Sequence, residues 1–67
     1  MAKTFKQIEL VGISSSSYED AIQHAVAKAS ESLRGLSWFE VLEQRGQITD
    51  GKVSEYQVVL KVAFKLD

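Results

Sequence analysis

The chain contains no cysteine and no proline, a single histidine (His24), a single tryptophan (Trp38) and no long apolar run. Without cysteine there are no disulfides and no thiolate metal centres, and one histidine does not make an imidazole-rich metal site. No stretch approaches the about 20 apolar residues that span a bilayer. The start Met1-Ala2-Lys3-Thr4 leads into a strand pattern rather than a signal peptide, so a cytoplasmic protein is expected. A basic surplus is also missing. Lys and Arg number 8 against 9 Asp and Glu, for a net charge of −1, which argues against a nucleic-acid binder. No repeat or low-complexity tract occurs, and the 67 residues form one domain, 1–67. Domains below about 70–80 residues usually need a staple. With disulfides and metals excluded, oligomerisation is the expected support.

The hydropathy pattern predicts the order β-α-β-β. Residues 4–12 read as a strand, with Ile8 and Leu10 alternating with Gln7 and Glu9. The serine run Ser14–Ser17 reads as a loop and cap; a phosphate loop would need several glycines there, and only Gly12 is nearby. A helix is predicted over Tyr18–Arg34, with capping-box spacing at Ser17/Asp20 or Ser16/Glu19 and Gly35 as its left-handed stop. Tyr18, Ala21, Ile22, Ala25, Val26, Ala29 and Leu33 form its apolar stripe. Residues 37–49 and 53–66 read as long strands joined by a tight turn at Asp50-Gly51. The fold class expected is α+β, a three-stranded, largely antiparallel sheet curled round one helix.

Alternation then assigns sheet faces. Phe39 and Val41 point to the core, so Trp38 points away from it. A turn centred on Asp50-Gly51 sets Trp38 opposite Ala63 and Gln44 opposite Gln57. It places Trp38, Glu40, Leu42, Gln44, Gln57, Val59, Lys61 and Ala63 on the outer face, and Glu43 and Arg45 on the inner one. A bulge near Gly46 would reset this alternation. The apolar outer residues Trp38, Leu42, Val59 and Ala63 call for a partner subunit as cover. In this register Trp38 and Gln57 stand about 20 Å apart at strand rise. One small ligand reaches both only across a subunit interface or through strong bending.

An outward indole and an outward amide suit a flat, hydrogen-bonding ligand. Trp38 reads as an interface anchor or as a stacking platform, and the two roles are compatible near a symmetry axis. Gln57 is either an exposed strand residue or an amide that pairs with a ring edge presenting both a donor and an acceptor, as flavin and nucleobase edges do. Arg45 is a solvated strand end or a residue that stacks on a ring or holds a phosphate. His24 reads as solvent-exposed, and Glu40 and Glu43 are expected on opposite faces. No nucleophile–base–orienter set is visible, so no enzyme activity is predicted. Lys3, Lys28, Arg34 and Lys65 gather at one end, either offsetting the helix dipole or forming a secondary anion or nucleotide site.

The segments Ile8-Glu9-Leu10-Val11-Gly12, Leu36-Ser37-Trp38-Phe39-Glu40-Val41, Arg45-Gly46 and Glu55-Tyr56-Gln57-Val58 resemble the dodecin family over nearly the whole chain. The resemblance implies a flavin-binding protein assembled as a hollow homododecamer of cubic symmetry. It implies flavins stacked in pairs between copies of Trp38 from two-fold-related subunits, with Gln57 bonding the ring edge, Arg45 beside the flavin and Lys6 reaching it. FMN is the implied ligand, with riboflavin or FAD as alternatives. A coenzyme A site at the basic end is also implied, although Lys65 stands where relatives carry an arginine and lacks bidentate phosphate recognition. Flavin storage with photoprotection follows as the implied function. The competing readings are a flavin-dependent reductase and a purely structural shell.

Overall fold

A computed structural model describes residues 2–66. The elements are β1 (Phe5–Ser14), α1 (Tyr18–Ser30), β2 (Leu36–Thr49) and β3 (Lys52–Lys65), in the β-α-β-β order expected. They form one antiparallel sheet in the order β1-β3-β2, so the last strand is central and both others are edges. Asp50 and Gly51 both take positive φ, 53° and 76°, the backbone that a two-residue hairpin turn requires.

The serine run builds the start of α1. Ser17 caps the helix, its side chain accepting the Asp20 N–H at 3.0 Å. Asp20 does not reach back to Ser17 as a capping box would. Its carboxylate accepts the Ser14 hydroxyl at 2.6 Å, and Ser14 Oγ accepts the backbone N–H of Ser16 at 2.9 Å. The expected helix end at Arg34 is four residues too far. Ser30 turns its hydroxyl onto the Ala27 carbonyl (2.7 Å), and the chain tightens through Glu31 N–H to Lys28 O and Ser32 N–H to Ala29 O. Gly35 has the positive φ expected of it (76°), but at a corner beyond the helix. There its carbonyl accepts Lys65 N–H at 3.1 Å and aligns β2 with the end of β3.

The core lies between α1 and the inner face of β1 and β3. Ala21, Val58, Leu60 and Val62 are fully buried, with Ile8, Leu10, Tyr18, Ile22, Ala25 and Val26 packed around them. Small residues bring the helix close: a Cβ on Gly12 would lie 2.5 Å from the Ala21 carbonyl oxygen. The 13-residue helix is about 20 Å long, whereas the 14-residue strands β2 and β3 extend about 46 Å. The helix packs against β1 and β3 and leaves most of β2 uncovered. Phe39 and Val41 do lie on the helix side, paired with Val62 and Leu60, yet Phe39 is 49 % exposed. The single chain measures 54 × 20 × 13 Å, a flat arm rather than a closed domain.

Candidate functional site

The outer face of the sheet, opposite α1, carries Trp38, Arg45 and Gln57. Trp38 pairs with Ala63 as expected, and Phe39, Glu40 and Val41 follow in the same register opposite Val62, Lys61 and Leu60. The register then slips by one residue between Val41 and Glu43. This bulge at Leu42 overturns the expected faces beyond it. Arg45, not Gln44, stands opposite Gln57, and Glu43 stands opposite Val59. Paired residues share a face, so Glu43 and Arg45 move from the inner face to the outer one, and Gln44 moves inward opposite Val58. Glu40 and Glu43 consequently share the outer face rather than opposing each other. In place of the one irregularity expected near Gly46, β2 has three, between Leu36 and Trp38, at Leu42 and between Gln47 and Ile48.

Trp38 is half-exposed, with its indole against the Phe5 ring, centroids 4.8 Å apart at 50°. These two residues belong to the two edge strands, and Ala63 of the central strand lies between them. Phe5 pairs with Lys65 and Gln7 with Ala63, so the rings meet above β3 only because Ala63 is short. Ala63 is accordingly 0 % exposed, although it lies on the face not covered by the helix. Phe5 escaped the sequence reading because nothing in the linear order places residues 5 and 38 together. Ala63→Leu is expected to drive the rings apart, at a cost of about 1–3 kcal/mol. Near-ultraviolet dichroism of the sole tryptophan should change while the far-ultraviolet spectrum stays. An unaltered tryptophan signal would show that Ala63 does not set the pair.

About 20 Å along the sheet, the second cluster is a chain of four side chains. Arg45 Nε donates to Gln57 Oε1 at 2.9 Å, and Arg45 Nη1 donates to Glu43 Oε1 at 2.7 Å. Gln57 Nε2 donates to Glu55 Oε1 at 2.9 Å. Of these, Glu55 was missed by the sequence reading, and Glu43 was placed on the inner face and given no part in the site. Each acts through an i,i+2 neighbour on its own strand, a spacing that alternation supplies everywhere and so carries no signal. After these bonds the Gln57 amide keeps one acceptor lone pair and one N–H.

The remaining predicted residues do not join these clusters within one chain. Lys6 pairs with Phe64 and alternates with Phe5, so it projects from the face opposite Trp38. The basic end forms in the backbone: Lys65 N–H bonds Gly35 O, and Leu66 N–H bonds Thr4 O, bringing the segments of Lys3, Arg34 and Lys65 together. Lys28, in the last turn of α1, pairs with Glu31 at 3.6 Å. His24 is exposed, its Nδ1 3.2 Å from Asp20. Among the described residues no group of three or more His, Cys, Asp and Glu could hold a metal ion, and no helix is long and apolar enough to cross a membrane.

Outer-face apolar exposure is also redistributed. Val59 and Ala63 are already buried within the chain, and the open apolar residues of this face are Val11, Ile13 and Trp38, with Leu42 exposed at the bulge. Ile48 and Val53 protrude near the hairpin tip, Ile48 with 73 % of its surface exposed.

The chain is similar to known proteins along nearly its whole length. The family model described as Dodecin matches residues 4–67. A curated dodecin of Thermus thermophilus is 54 % identical over all 67 residues, which cover 97 % of that protein. A Thermus thermophilus crystal structure superposes with a TM-score of 0.94 at 53 % identity, over 98 % of this chain and 97 % of the other. The dodecin of Streptomyces coelicolor superposes with a TM-score of 0.93 at 46 % identity, over 97 % and 93 % of the two chains.

Proposed function

The chain belongs to the dodecin family, and from that membership we propose that it is a non-enzymatic flavin-binding protein, a store that also shields its ligand from light. The observation that carries this reading is the half-exposed indole of Trp38, backed by Phe5, which leaves an aromatic surface open on the outer face. The chemistry of the donor set fits a flavin. Trp38 offers a stacking surface, Gln57 offers a free acceptor and a free donor, and Arg45 adds a fixed guanidinium beside them. A bound flavin supplies a redox-active ring that absorbs visible light. An indole stacked on such a ring is an electron donor at contact distance, which supports quenching and photoprotection as part of the role.

Trp38 and Gln57 are too far apart in one chain for one ring to touch both, so the reading requires assembly. A second copy brings its Trp38 or Gln57 to the first, and the homododecamer is the assembly proposed. The open apolar residues of the outer face, the uncovered side of β2 and the protruding hairpin tip all support burial between copies. FMN is the ligand proposed. At the basic end, Lys3, Arg34 and Lys65 would take the phosphates of a coenzyme A-like molecule. Lys28 contributes there less freely, because Glu31 already engages it.

A fluorescence titration of FMN with the purified apoprotein tests the reading. Quenching that saturates near one flavin per chain is the expected result. No quenching by FMN, riboflavin or FAD would leave only an oligomeric shell. Steady oxidation of NADH in the presence of FMN would point to a reductase instead.

A further inference from the structure

The Gln57 amide is held from both sides. Its Oε1 accepts from Arg45 Nε and its Nε2 donates to Glu55 Oε1, each at 2.9 Å. A half-turn of the amide would set Oε1 against the Glu55 carboxylate, which when ionised can only accept. It would also set Nε2 against the Arg45 guanidinium, which can only donate. Both neighbours exclude the flipped amide, and each does so through a charge-assisted bond. Arg45 is in turn tied to Glu43 at 2.7 Å, so it is not free to follow a flipped Gln57. The bulge at Leu42 makes this lock possible, because it brings Arg45 rather than Gln44 opposite Gln57.

We propose that Glu55 is a positioning residue that fixes the order in which Gln57 presents its remaining acceptor and donor. Glu55 thereby makes the site selective for a ring edge that carries an N–H beside a carbonyl in the matching order. The inference rests on the flavin-binding reading and specifies which part of the ring is recognised. The pyrimidine edge of a flavin has an N–H at N3 with a carbonyl on either side, so it meets both free positions of the amide, and for a ring held in place by stacking the fixed amide selects which of the two carbonyls is engaged together with N3–H. Methylation at N3 removes the donor and leaves the stacking surface unchanged. Glu55 need not touch the ligand, since it acts by denying Gln57 its other orientation. A neutral amide at position 55 offers both a donor and an acceptor and accommodates Gln57 either way round.

The test titrates FMN and N3-methyl-FMN into wild-type protein and into Glu55→Gln, with the assembly of each verified by size-exclusion chromatography. Wild type is expected to prefer FMN over the N3-methyl derivative by about three- to tenfold, the range of one net hydrogen bond. In Glu55→Gln that preference should contract without vanishing, through loss of FMN affinity, since Arg45 still disfavours the flipped amide, and N3-methyl-FMN should bind as before. A purely structural role would weaken both ligands together and leave their ratio intact. An unchanged ratio, or a wild type that does not distinguish the two, overturns the inference while leaving flavin binding in place. A wild type that binds neither ligand overturns the flavin reading itself, and this inference with it. Should Glu55→Gln lose the native assembly, Glu55→Asp replaces it. Aspartate keeps the charge but withdraws the carboxylate by one methylene, and the same contraction of the ratio is expected.

Discussion

Replacing Trp38 with alanine is expected to weaken FMN binding by about 5- to 150-fold, the equivalent of about 1–3 kcal/mol for one aromatic stacking contact. The indole is half-exposed, and its one aromatic neighbour within the chain is Phe5, so most of what the substitution removes is surface offered outward. Phe5 and Ala63 remain, and the core on the helix side of the sheet is untouched. The assembly should therefore survive, although Trp38 also contributes apolar surface to any contact between copies. Isothermal titration or flavin quenching at matched chain concentration measures the effect. Trp38→Phe should fall between the two, since a smaller ring retains part of the contact. Unchanged affinity in an intact Trp38→Ala assembly would remove Trp38 from the site and leave it as an interface anchor.

The largest effect on folding is expected from Gly12→Val. Gly12 is the point at which the helix rests on β1, and a Cβ there meets the Ala21 carbonyl oxygen at 2.5 Å and Ala25 Cβ at 3.1 Å. The obstruction is helix backbone rather than the end of a flexible side chain, so relief requires lifting α1 off the sheet. Ala21, fully buried, would move with it, and the cover over Val58 and Leu60 would open. Overpacking of this kind costs about 1–3 kcal/mol, and more where backbone must shift. In a chain of this length about 1 kcal/mol corresponds to about 4–8 °C in Tm. Thermal unfolding must be compared at fixed chain concentration, because assembly adds to apparent stability. A Gly12→Val protein that melts with the wild type would show that the helix has room to yield.

The two predictions draw on different properties of one sheet. The inner face of β1 and β3 is closed within the chain and sets stability. The outer face is open over much of its length, and its two clusters stand about 20 Å apart on the same strands. On the flavin-binding reading proposed above, this geometry means that a 67-residue chain carries both halves of the site without completing one, and copies would have to combine them.

Much of this was legible in the sequence, and the limits fall at identifiable residues. Alternation through Trp38, Phe39, Glu40 and Val41 gave their faces and the Trp38–Ala63 pairing, because the side-chain period of a strand is two and the Asp50-Gly51 turn pins the hairpin. The same counting failed beyond Leu42. A bulge inserts one residue without a distinctive side chain, and the residues from Glu43 to Gln47 then change face until a second irregularity restores the register at Ile48. Arg45 and Glu43 were therefore assigned inward, and Gln57 was given the wrong partner. The helix start was legible from Ser17 and Asp20. Its end was not, because Ser30, Glu31 and Ser32 are compatible with another turn of helix until Gly35 has to meet the end of β3.

By itself, the sequence determined the element order, the turn, the outward indole and amide, and a core small enough to make support from other copies the expectation. These follow from local periodicity, backbone propensity and the size of the core. The tertiary structure alone decided the meeting of Phe5 and Trp38 over Ala63, the pairing of Arg45 with Gln57, and the lock that Glu55 places on the amide. Each depends on strand order or register, which are set by packing and hydrogen bonding between segments far apart in the chain.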